Sequence, residues 1–277
     1  MTADEPPPGG RPECPLRAPE ELRAPLEAAT ALLRGADAPS PGSELGPPSP
    51  SALASAIRDL RPDLPPRRAL ARALRLLGNA GTCVGAAAAR QVLAPDAGRG
   101  PGAVLAGPLQ LCRLTCAAGT LLPGTRLGAA EQLTLILELE RTVEHAAAPA
   151  DGSVEMGGAG CSFSAGFVAG WCSAALGCDV ACAEITCRAR GQQRCRFVAA
   201  PRELLADRVA AHVEADPSPL GGAADPEIPA SLAALTARDE ASPREDGPLP
   251  HTLMLNKVLR EEIAEHSRRR GEHQRAE

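Results

Sequence analysis

From residue 51 onward the apolar positions repeat at helical intervals. Leu53, Ile57 and Leu60 form one face of a helix that Ser51 can cap, and Pro62, Pro65 and Pro66 break it. A longer helix is predicted from Arg67 to Leu93, with Leu70, Ala73, Leu74 and Leu77 on one face and Asn79 and Gly81 weakening its middle. After the loop at 94–102, a strongly apolar helix carries Leu105, Leu109, Leu111 and Leu114. The period then changes. Leu133, Leu135, Leu137 and Leu139 alternate, which predicts a strand, then a turn and more extended chain. Residues 148–160 read as a loop whose GGAG run is too short and isolated to cradle a phosphate. Ser162–Leu176 reads as a helix stopped by Gly177, with Phe163, Phe167 and Trp171 spaced i, i+4, i+8 on one stripe. Residues 179–187 and 194–200 form a hairpin around Gly191, and Pro201 precedes a helix at 203–213.

The fold class is therefore α+β: an antiparallel sheet with helices packed against it and a C-terminal β-hairpin. The folded domain spans 51–214. Its flanks differ in composition. Residues 1–50 and 215–249 are rich in Pro, Gly and Ser and bury too little apolar surface to order themselves, so they read as a disordered tail and linker. Pro19–Gly35 interrupts the tail as a transient helix. Residues 250–277 form an amphipathic helix with a seam of Leu255, Leu259 and Ile263, which could pair with a protein partner.

Composition narrows the classes. The formal charge of −5 offers no basic face for nucleic acid. Lys257 is the only lysine and tyrosine is absent, so the arginine excess follows coding bias and not phosphate binding. No apolar run is clean enough to span a membrane, and the N-terminus is not a secretory signal. A cytoplasmic protein follows, in which ten cysteines are core fillers or metal ligands before they are disulfides.

Six of those cysteines lie between Cys161 and Cys195. The hairpin brings Cys187 and Cys195 together, which is half of a zinc site. Cys161 starts a helix, where the dipole favours a thiolate. Glu184 is a fourth candidate, although residues 184 and 187 face opposite ways in a regular strand, so it joins only if the strand bends or ends between them. Cys178 and Cys182 compete for the same position, and the alternative is that all six are packing residues. Cys112 and Cys116, one helical turn apart with no other ligand nearby, read as core residues. Glu138 and Glu140 share a strand face and are explained by solvent exposure. No catalytic triad or nucleotide fingerprint is legible, so an enzyme is the less favoured reading.

The segment GFVAGWCSAALGCDVACAEITCRARGQQRCRF resembles the 4-vinyl reductase domain family: Phe167 through Gly177, then Glu184 with Cys187, Gly191, and Cys195 with Phe197. The family shares its fold with small subunits of the TRAPP tethering complex and includes sensor domains of bacterial aromatic-responsive activators. The resemblance implies a structural Zn2+ on Cys161, Glu184, Cys187 and Cys195, and a small hydrophobic ligand held between sheet and helices, often in a dimer. Phe163, Phe167, Trp171 and His145 are the pocket candidates. The expected function is a zinc-containing, sensor-like binding module without its own output domain. The alternatives are an adaptor of TRAPP type and an accessory factor in tetrapyrrole reduction. An open cavity favours sensing; a filled interior favours scaffolding.

Overall fold

The computed structural model describes residues 16–34, 50–93, 100–146, 160–188 and 192–216. The GGAG run, the hairpin turn at Gly191, the linker from 217 and the 250–277 helix lie outside the described residues. Among those described, five strands and seven α-helices are built. The strands are β1 (Leu16–Arg17), β2 (Gly119–Leu121), β3 (Leu135–Leu139), β4 (Val180–Thr186) and β5 (Cys195–Pro201). They form one sheet in the order β1-β2-β3-β5-β4, antiparallel except for the short parallel pairing of β1 with β2. The helices are α1 (Arg23–Arg34), α2 (Pro50–Leu60), α3 (Pro66–Val92), α4 (Pro101–Thr115), α5 (Val143–Ala146), α6 (Ser162–Leu176) and α7 (Leu205–Ala215). The α+β class holds, and no helix among the described residues is long and apolar enough to cross a membrane.

Side-chain alternation sends each strand's residues to two cores. Leu135, Leu137 and Leu139 of β3 and Cys195, Phe197 and Ala199 of β5 join the large core under α4 and α6. Ile136, Val198, Ala200, Ala181, Ala183 and Ile185 face the other way and are covered by Leu205 and Val209 of α7. Arg196 lies on that second face, nearly buried. It binds Glu138 through Nε and Nη2 (3.3 and 2.9 Å) and Asp216 at the end of α7 through Nη1 (2.8 Å). Glu138 is thus an ion-pair partner across β3 and β5, and not simply a solvated charge. Arg196→Ala removes charge-assisted hydrogen bonds that tie α7 to the sheet and should cost about 2 kcal/mol. Urea unfolding checks this; an unchanged midpoint would mean that α7 docks by its apolar face alone.

The central helix α6 is buried on almost every side, as expected of a helix that is apolar all round. Gly177 closes it at φ 70°, and its N–H donates to the Ser173 carbonyl. Glycines set its distance from α3. A Cβ on Gly81 or Gly85 would collide with the Phe163 or Phe167 carbonyl, and one on Gly166 or Gly170 with the backbone of Gly78 or Thr82. The two helices touch backbone to backbone.

Three expectations change. The segment read as a transient helix in a disordered tail is built into the fold: Leu16 of β1 and Leu22, Ala29 and Leu33 around α1 are buried in the main core. Gly102 at the start of α4 permits this, because a Cβ there would sit 2.9 Å from the Ala28 Cβ. After β3 the chain is not extended but turns into α5, whose Glu144 carboxylate accepts from the Ser164 N–H and hydroxyl. The last helix also runs on to Ala215, past the expected end of the domain. Cys112 is buried, while Cys116 is exposed in a left-handed C-cap at φ 48°.

Candidate metal centre

Four segments converge at one end of the sheet. Cys161 is the N-cap residue of α6, Cys187 follows β4, Cys195 opens β5, and His145 stands in α5. The Cys161 Sγ lies 3.7 Å from the Cys187 Sγ and 3.6 Å from the Cys195 Sγ. The His145 Nδ1 lies 3.7 Å from the Cys161 Sγ and 3.9 Å from the Cys195 Sγ. All four ligand atoms fall within 4.8 Å of one another, and the three cysteines are buried.

Each member is held by its surroundings. The Thr142 side chain, itself fully buried, donates to the Cys161 Sγ at 3.2 Å and lies 2.7 Å from the His145 Nδ1. The Arg188 N–H reaches the Cys195 Sγ at 3.4 Å. The Glu184 Oε2 accepts the Cys161 N–H at 2.8 Å, while its Oε1 is buried without a hydrogen-bond partner. The strand geometry that set Glu184 against Cys187 is relieved by a register shift between Glu184 and Thr186, after which β4 ends. Residues 184 and 187 can then face the same side.

Burial dominates the electrostatics. It pushes the Cys161 thiol well above its ordinary value, with the Cys187 and Cys195 hydrogen bonds adding to the rise. At Cys195 the Cys161 hydrogen bond pulls the thiol down, but Cys187 and burial raise it further, and the net shift is upward. Burial also raises Glu184 far above the usual carboxylate range, next to Cys187. It lowers His145, which favours the neutral imidazole. Three thiols that resist ionisation in isolation, beside a neutral imidazole, suit a site whose thiolates form when a cation arrives.

The donor set fits Zn2+, which takes thiolate and imidazole in a tetrahedron. Cys182 and Cys178, the rival candidates, are outside this group. Cys182 packs in the main core, Cys178 lies at its edge, and Cys172 is held up to about 12 by burial. His145, expected at a ligand pocket, instead joins the thiols. A lone histidine carries no spacing signal, and only the turn into α5 brings it there.

The aromatic pocket candidates separate from it. Phe167 and Trp171 stack with ring centroids 6.0 Å apart, both essentially inaccessible, and the Trp171 Nε1–H donates to the Ala103 carbonyl at 2.8 Å. Gly107 leaves the space that the indole fills. The interior around this pair is packed. Phe163, one turn earlier on the stripe, presents its backbone carbonyl to Gly81 of α3. An apolar groove of about 670 Å³ lies instead between α1 and α4, lined by Ala24, Pro25, Ala28, Leu32 and Ala103 among others.

The sheet, the buried helix across it and the thiol-rich end define an α+β domain with a candidate metal centre. Residues 144–201 match the model of the 4-vinyl reductase domain, and the chain carries a domain of that family, as its GFVAGWC and ITCRARGQQRCRF segments led us to expect. Among solved structures, the phenol-responsive sensory domain of the transcription activator PoxR, determined with phenol, is similar at 19% identity and a TM-score of 0.46, over 70% of this chain and 97% of that one. No curated protein matches the chain.

Proposed function

We propose that this chain is a small-molecule-binding domain of the sensor kind, held in shape by a structural zinc. The observation that carries the proposal is the convergence of the Cys161, Cys187 and Cys195 sulfurs at metal-chelating separations, all three inside the matched 144–201 segment. Three thiolates and a fourth protein ligand leave no open position for water, so the metal would staple and not catalyse. Glu184, the fourth ligand implied by the family resemblance, and His145 both border the site. The ligand would be small and apolar, and the groove between α1 and α4 offers a surface for it.

A second reading has its own observation. The interior around Phe167 and Trp171 is filled, which suits an adaptor or tethering role better than an internal ligand cavity.

One experiment addresses both. Trp171 is the only tryptophan, and its indole is bonded to Ala103, a groove residue. Protein purified without chelator should carry one zinc per chain, and a titration with phenol as a probe should shift Trp171 emission saturably. Zinc without any emission change, and with no binding by calorimetry, favours the adaptor. The absence of stoichiometric metal removes the staple.

A further inference from the structure

We propose that His145 is the fourth metal ligand through its Nδ1, and that Glu184 acts one step out as the clamp on the Cys161 backbone. The assignment rests on the zinc reading of this site. The first argument is distance. With Zn–S near 2.3 Å and Zn–N near 2.0–2.1 Å, a regular tetrahedron has S···S edges of about 3.8 Å and S···N edges of about 3.6 Å. The observed sulfur separations are 3.7 and 3.6 Å, and the Nδ1 stands 3.7 and 3.9 Å from two of those sulfurs. The nitrogen already occupies the fourth corner.

The second argument is that the surroundings fix the imidazole there. Glu144 ties α5 to the first turn of α6 through the Ser164 N–H and hydroxyl, and the Val143 N–H donates to the Ser164 Oγ at 3.3 Å. The buried Thr142 hydroxyl bridges the ring and the Cys161 sulfur. Metal-bound histidines and thiolates are commonly oriented by such neighbouring groups. Glu184 has other work: its Oε2 holds the N–H of Cys161, the residue that starts α6.

The third argument is charge. Zn2+ with three thiolates and a neutral imidazole carries one net negative charge, whereas a carboxylate in place of the imidazole makes it two. In a site whose three cysteines are fully buried, the doubly charged cluster is the costlier to desolvate. The functional consequence is a wider staple. Histidine ligation pins α5, and with it the exit of β3, to the β4–β5 hairpin and to α6; ligation by Glu184 would leave α5 outside.

Zinc K-edge X-ray absorption on the full chain tests this directly. The wild type should show three sulfurs, one nitrogen and the outer-shell scattering of one imidazole. His145→Gln should lose the imidazole signature. Glu184→Gln should keep it while binding zinc roughly 10–100-fold more weakly, as removal of an outer-sphere partner does. Bound zinc with no imidazole in the wild type, or an imidazole that persists in His145→Gln, overturns the assignment and leaves the metal reading standing. Wild-type protein without stoichiometric zinc overturns both. The wild-type spectrum is decisive even if a variant fails to fold.

Discussion

Cys187→Ser is expected to lose the metal and most of the stability the metal confers. A structural ion binds the native state and adds about 4 kcal/mol when it is present at a thousand times its Kd, which for a domain of this size lowers the melting point by roughly 10 °C on removal. Cys187 is placed by the end of β4 and Cys195 by the start of β5, so losing either thiolate releases the hairpin from the start of α6. Cavity and polarity effects at a buried cysteine could mimic part of the loss. Cys172→Ser separates them, because Cys172 is equally buried but outside the ligand group. Wild type and Cys172→Ser should both lose about the same increment on adding a zinc chelator. Cys187→Ser and Cys195→Ser should not respond to it. Melting curves with and without chelator give the answer, and a wild type indifferent to chelator would sink the staple.

The second large effect is steric. Gly81→Ala should destabilise the domain by about 4 kcal/mol or prevent folding, beyond the ordinary ~1–3 kcal/mol of overpacking. The added Cβ would fall on the Phe163 carbonyl oxygen, 2.9 Å from its carbon and 3.0 Å from the Phe167 nitrogen. These are backbone atoms within α6, so no rotamer change can make room. The helices would have to part, and the packing of Phe167 would go with them. Gly78→Ala is the control on the same helix. Its Cβ would meet nothing closer than 3.6 Å, and the gain in helix propensity is about 0.5–1 kcal/mol. Gly78→Ala should therefore be neutral or stabilising. Equal melting points for the two variants would show that α3 and α6 are not locked at backbone contact.

What could be read from residue order was what short-range periodicity encodes. The stripe of Phe163, Phe167 and Trp171 and the stop at Gly177 marked α6 to the residue. The alternating Leu133–Leu139 run marked β3, and the two segments around Gly191 marked β4 and β5. The hairpin also brought Cys187 and Cys195 together in advance, because a short antiparallel connection fixes which residues are near. Three features depended on contacts remote in sequence. α1 sits in a segment too poor in apolar residues to order itself, and it folds because α4 presents Gly102 at close range. The register shift after Glu184 has no local residue signature; it arises where β4 meets the end of β5. His145 reached the thiols because Glu144 found the open N–H of Ser164 and turned the chain into α5, a pairing across 20 residues. A period can be seen in a string of residues, but a single side chain's partner depends on which surfaces the packed core leaves beside it.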